Sequence, residues 1–104
     1  MPRLLLAAVL LASPVSALAQ VPTGDPAAGH DIAKTWCSNC HVIDDMPVQA
    51  GDTVPSFPAI AKRPSTTVLS LEAFLQTPHG QMPNFQLSRQ QIDDAIAYIL
   101  SLRP

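Results

Sequence analysis

Charge is scarce in this chain of 104 residues: only 13% of positions are Asp, Glu, Lys or Arg. The six Lys and Arg form no cluster, and eight Asp and Glu outnumber them, for a formal charge of −2. Without a basic patch to neutralise phosphates, nucleic-acid binding is disfavoured. Aromatic residues are equally sparse, at 5%, so little of the core can come from large rings. There are two cysteines, and they stand three positions apart. They cannot form the long-range disulfide framework that stabilises many small exported domains. No run shows the period-two alternation of a half-buried strand, there are no internal repeats, and no run is long and apolar enough to span a bilayer.

Proline is abundant, with eleven residues, and so is apolar sequence near the start. Arg3 is followed by the apolar run Leu4 to Ala12, a Ser13-Pro14 break, and Ala17-Leu18-Ala19. A positive start, a short apolar stretch and an A-x-A site together predict a cleaved secretory signal peptide over residues 1–19, with a single domain over 20–104. Export to the periplasm is the expected localisation. Loss of Arg3 leaves five basic against eight acidic residues, a formal charge of −3 on the mature domain. About 85 residues remain, a size at which a hydrophobic core alone supplies only ~3–5 kcal/mol.

The residues that answer this shortage are Cys37-Ser38-Asn39-Cys40-His41. C-x-x-C-H is the attachment pattern for c-type haem: each thiol adds to one vinyl group, and the adjoining imidazole is held beneath the iron. A covalently tied haem, mostly apolar surface, supplies a core that a short chain cannot otherwise build. C-x-x-C alone also serves as a thiol redox pair or as half of a zinc site. The thiol–disulfide oxidoreductase reading is disfavoured because it calls for a βαβ pattern, and the zinc reading because only one half-site is visible.

Three helices are predicted. The first starts at Asp25-Pro26, an N-cap followed by proline at the first helical position, and runs to about Thr35, delivering Trp36 and the C-x-x-C-H at its end. Gly29, Ile32, Ala33 and Trp36 share one side of it. The second begins near Ser65-Thr66-Thr67 and is stopped by Thr77-Pro78. The third opens with the S-x-x-Q capping box Ser88–Gln91. It places Asp93 and Asp94 near the positive end of its dipole, Arg103 near the negative end, and Ile92, Ala95, Ile96, Ile99 and Leu100 in a buried stripe flanked by Tyr98 and Leu102. The segments between are read as irregular, proline-punctuated loops. The predicted class is all-α, helices and stiff loops wrapped around one flat cofactor.

Iron in a haem takes an axial ligand on each face. His41 supplies one. For the other the mature chain offers Met46, Met82, His30 and His79. Met46 follows His41 too closely to reach round the porphyrin, and His30 belongs to the first helix, where it reads as a solvated position. Met82, in the proline-bracketed loop Pro78-His79-Gly80-Gln81-Met82-Pro83, is the sulfur donor chosen, with Pro83 stiffening the loop. His79 reads as a loop residue.

In their order these pieces resemble a class I c-type cytochrome, the small single-haem bacterial kind. They are Gly29 before the C-S-N-C-H motif, Val54-Pro55-Ser56-Phe57, Pro78 to Pro83, and a last helix containing Ala97-Tyr98-Ile99. The resemblance implies thioether bonds at Cys37 and Cys40, axial ligation by His41 and Met82, and a Pro55 carbonyl that accepts the Nδ1–H of His41. It also implies a close crossing of the first and last helices at Gly29, near Ala95 and Tyr98. Where the family often has an aromatic four residues before the first cysteine, this chain has Ala33, and Ile32 or Trp36 is expected to fill that space. Lys62 and Arg63 are candidate propionate partners, and Asn84 reads as a turn residue.

With both axial positions filled there is no open site for a substrate. The function expected is one-electron transfer between redox proteins, not enzymatic catalysis. Three alternatives belong to the same sequence. The chain can be the electron-accepting subunit of a periplasmic dehydrogenase, a haem sensor or peroxidase-like protein if Met82 is displaceable, or the thiol oxidoreductase already weighed.

Overall fold

A computed structural model describes residues 20–45, 54–77 and 80–104. Residues 1–19, Met46, Pro47, Pro78 and His79 lie outside the described residues, and with them the expected signal peptide. The described chain forms four helices: α1 (Pro26–Trp36), α2 (Phe57–Lys62), α3 (Val68–Gln76) and α4 (Arg89–Ser101). No strand occurs among the described residues, in agreement with the all-α class.

Helix ends follow the local chemistry closely. The Asp25 carboxylate caps α1 by accepting the Ala27 N–H at 2.8 Å, with Pro26 inside the first turn. In α3 the Thr67 hydroxyl accepts the Ser70 N–H at 3.0 Å while the Ser70 hydroxyl accepts the Thr67 N–H at 2.8 Å. Thr77, the residue before proline, leaves the helix in extended conformation (φ −107°, ψ 126°). Ser88 and Gln91 form the expected box at α4.

The structure adds α2 to the three helices of the sequence reading. Its six residues are too few to display a helical period, and its prolines suggested loop. Ser56 caps it, its hydroxyl accepting the Ala59 N–H at 3.2 Å, and Pro58 sits in the first turn where no N–H is needed.

The scaffold is the crossing of α1 on α4, with α2 and α3 packed against α4. Gly29 makes this approach possible. A β-carbon there would overlap the Asp94 carbonyl and lie 2.8 Å from Tyr98 Cβ. Gly24 meets the Asp93–Asp94 backbone in the same way. Ala33 is fully buried, which leaves no room there for the aromatic that the resemblance led one to expect. Trp36 does not fill that space; it is 44% exposed and packs on Phe85, ring centroids 5.5 Å apart. Ile92, Ile96 and Ile99 form the centre of the core together with Phe57, Ala61 and Leu71.

Three polar assignments change. Asp93 and Asp94 lie past the first turn of α4. Asp93 pairs with Arg89 at 3.4 Å, while buried Asp94 accepts the Asp25 N–H and the Gln90 side chain, each at 2.8 Å. Asp94 thus ties α4 to the start of α1 instead of serving its own helix dipole. Arg103 donates to the carbonyls of Ala61, at 3.1 Å, and Thr66, gripping the end of α2 and the approach to α3. Tyr98 is buried instead of flanking the stripe.

Candidate functional site

The C-x-x-C-H segment is a tight turn that continues α1. Cys37 and Ser38 N–H groups both donate to the Ala33 carbonyl (2.9 and 3.0 Å), and Cys40 and His41 N–H groups to that of Cys37 (3.1 and 2.9 Å). This turn carries both thiols and ends at the imidazole. Cys37 is partly buried and Cys40 exposed. Burial pushes the Cys37 thiol pKa above its ordinary value, the reverse of the activation that a thiol redox catalyst needs.

From His41 the chain runs alongside the residues that lead into α2. The Val42 carbonyl accepts the Phe57 N–H at 2.9 Å, and His41 Nδ1 lies 2.7 Å from the Pro55 carbonyl oxygen. A carbonyl only accepts, so Nδ1 carries the proton. That fixes the tautomer: Nε2 holds a lone pair, the form in which an imidazole binds a metal. The Phe57 ring packs on the imidazole, centroids 5.3 Å apart.

Around these donors lies apolar surface that α1–α4 packing leaves uncovered. Trp36, Val42, Val54 and Phe85 are each more than a third exposed. Trp36 adjoins Cys37, Val42 adjoins His41, Val54 adjoins Pro55, and Phe85 packs on Trp36. Met82 lies half-buried in a pocket lined by Leu75, Pro83, Phe85 and Leu87. Its loop is shaped by Gly80 at φ +49° and by Gln86 at φ +52°, where the Asn84 side chain accepts the Gln86 N–H at 3.0 Å. Asn84 thus plays the turn role expected of it. Two thiols on one turn, ending at a tautomer-fixed imidazole, suit a flat, iron-bearing macrocycle; Met82 belongs to a separate pocket whose lining includes none of these three residues. By contrast, no three His, Cys, Asp or Glu side chains among the described residues converge as a metal cluster, which leaves the zinc reading without a second half-site.

Lys62 and Arg63 are exposed at the end of α2. His30 is not simply solvated. Its Nε2 is 2.9 Å from Asp44 Oδ1, and its ring lies edge-on to Tyr98. The Tyr98 hydroxyl donates to the Ile43 carbonyl at 2.8 Å and reaches Asp44 Oδ1 at 3.0 Å. Burial and the neighbouring Asp44 carboxylate raise the Tyr98 pKa from 10.0 to about 12. Sequence reasoning missed this cluster, because its members come from α1, the segment after His41, and α4. The one available sign was a tyrosine beside an apolar stripe, whose hydroxyl needs a partner once buried.

Comparison with known proteins extends the geometry. Residues 24–99 match the family described as cytochrome c oxidase, cbb3-type, subunit III. A cytochrome c-552 of Bradyrhizobium diazoefficiens is 46% identical over 80 residues, covering 77% of each chain. No solved structure shows a significant match. The match to the family runs from before α1 almost to the end of α4 and includes the whole C-x-x-C-H turn, so the chain belongs to this family: it is a small c-type cytochrome carrying covalently bound haem c.

Proposed function

We propose that this cytochrome is an exported, periplasmic one-electron carrier in which Cys37 and Cys40 form the thioether bonds and His41 and Met82 are the axial ligands. The observation that carries the reading is the 2.7 Å bond from His41 Nδ1 to the Pro55 carbonyl. It leaves Nε2 as the free donor and increases the basicity of the ring. The bound haem supplies a one-electron Fe(III)/Fe(II) couple. Met82, a soft thioether, favours the ferrous state and so a higher reduction potential. Two residues from one protein chain filling both axial positions leave no coordination site for a substrate, so His41 and Met82 suit transfer and not catalysis. The exposed Cys40 edge is where a redox partner would approach, in a small contact of the kind transient electron-transfer pairs make.

Expression of the full chain in a bacterium competent in haem attachment tests this directly. The expected product, recovered from the periplasm, has an intact mass equal to residues 20–104 plus one haem that survives denaturation. It takes up one electron per chain. A mass without haem, or retention of residues 1–19 in the cytoplasm, would contradict the reading. The family description names an oxidase subunit, which supports a second reading in which the electron is delivered within a larger respiratory complex. Native purification from the source organism separates the two, because a free carrier elutes at its own size.

A further inference from the structure

Behind His41 lies the polar cluster that haem attachment and axial ligation leave unused. The His30 Nε2 and Asp44 Oδ1 atoms are 2.9 Å apart, and the same oxygen receives the Tyr98 hydroxyl at 3.0 Å. A carboxylate accepts, so His30 Nε2 carries its proton in this bond, and Nδ1 is the nitrogen free to gain or lose one. The side chains of His30 and Asp44 are 38% and 54% exposed, open to exchange with solvent. Tyr98 also holds the Ile43 carbonyl at 2.8 Å.

The location gives this cluster its meaning. Ile43 and Asp44 follow His41 by two and three residues, so the cluster pins the backbone from which the imidazole projects. Ring contacts lead the same way. His41 packs on Phe57 at 5.3 Å, Phe57 on Tyr98 at 6.4 Å, and Tyr98 on His30 at 5.0 Å. His41 is therefore held by Pro55 through its ring and by α1 and α4 through its backbone.

We propose that His30, Asp44 and Tyr98 form a positioning cluster for His41, and that the proton on His30 Nδ1 is linked to the electron held at the haem. The inference rests on His41 being an axial ligand. Its physics is that of two interacting charges: a positive charge at His30 favours the reduced iron, and the reduced iron favours a positive charge at His30. On reduction the electron comes from the partner protein and a fraction of a proton from solvent to Nδ1; on oxidation both leave. Imidazole is the side chain whose charge ordinarily changes between about pH 5 and 8, and that interval sets the range of the test. The groups in contact with His30 are Asp44, from the segment after His41, and Tyr98 of α4; Asp45 adjoins Asp44 in the chain, and Asp31 and Lys34 are one and four positions further along α1. Asp94, the acidic group α4 buries near this crossing, is engaged by the Asp25 N–H and Gln90. Solvent exposure of the pair screens the interaction, which makes the expected step partial.

The test uses the haem-loaded protein, wild type and His30→Gln. Midpoint potentials are measured from pH 5 to 8, and the His30 imidazole is followed by NMR in both oxidation states. In the wild type the potential should fall as pH rises through the imidazole range, and His30 should titrate at higher pH in the reduced protein. Glutamine keeps a donor for Asp44 but cannot take up a proton, so His30→Gln should preserve the thermal midpoint and flatten the fall. Tyr98→Phe, which keeps the ring and removes the hydroxyl, should shift the potential across the whole range. Equal pH dependence in wild type and His30→Gln, or His30 titrating identically in both states, would overturn the linkage while leaving His41 ligation standing. A wild-type spectrum without a histidine-ligated haem would remove the linkage together with the axial reading.

Discussion

At the scale of single residues, the site depends on which atoms are left free once neighbours are satisfied. Pro55 has no N–H to offer, and its carbonyl takes the Nδ1 proton of His41 at 2.7 Å. Replacing Pro55 by Ala retains that carbonyl, so the axial imidazole should keep its spectrum. His41→Ala should lose the low-spin haem spectrum while thioether attachment persists, a difference that absorption and intact mass resolve together. Tyr98 gives a pH prediction. Its folded pKa of about 12 lies above the ordinary 10.0, so between those values the unfolded chain has released its phenolic proton and the folded chain has not. Stability is therefore full below about pH 10 and falls from there towards pH 12. Thermal melts across that window should show the fall in wild type and a weaker one in Tyr98→Phe.

Residue-scale features are also where sequence patterns are least informative. The C-x-x-C-H turn was legible because its atoms are adjacent. Asp44, Ala61 and Asp25, which bond His30, Arg103 and Asp94, are 14, 42 and 69 positions away from them, distances that no periodicity or capping rule connects. His30 consequently read as a solvated helix position, although it is one corner of a cluster spanning three segments.

Among the elements, α1 and α4 were legible because each announces its start chemically, by Asp25-Pro26 and by Ser88 with Gln91, and α3 because Ser65-Thr66-Thr67 opens it and Thr77-Pro78 stops it. The Thr67–Ser70 capping box is a finding of the structure. Helix α2 was not legible, since six residues make fewer than two turns, although Ser56 and Pro58 carry the same kind of signal. The α1–α4 crossing is the element-scale feature most exposed to mutation. Gly29→Ala would force a β-carbon into the Asp94 carbonyl and against Tyr98. Because the obstacle is mainly backbone, the helices must separate, at a cost of ~1–3 kcal/mol or more. For a domain of this size each kcal/mol lowers the thermal midpoint by roughly 4–8 °C. A melting temperature within a degree of wild type would contradict the tight crossing. Ser88→Ala removes one side of the α4 capping box and should cost about 1 kcal/mol, read in the same melts.

For the molecule as a whole, the decisive fact is how little core the chain builds alone. Among the described residues Ile96 is the one large side chain that is fully buried, while Trp36, Val42, Val54 and Phe85 are each partly exposed. On the proposed attachment at Cys37 and Cys40, the porphyrin would be the apolar partner for the surface next to the C-x-x-C-H turn. A chain with Cys37→Ala and Cys40→Ala should therefore melt well below the haem-loaded protein, with Trp36 in a wetter environment by fluorescence emission. Equal stability of the two forms would mean the helices suffice without the cofactor.

Whether His41 and Met82 close both faces of one covalent haem is decided by the absorption spectrum of the exported protein, oxidised and then reduced. A c-type spectrum with the weak far-red band of Met–Fe(III) ligation is expected, lost in Met82→Ala while the haem stays attached. A spectrum in which Met82→Ala changes nothing would contradict Met82 ligation, placing another ligand, or none, on the second face.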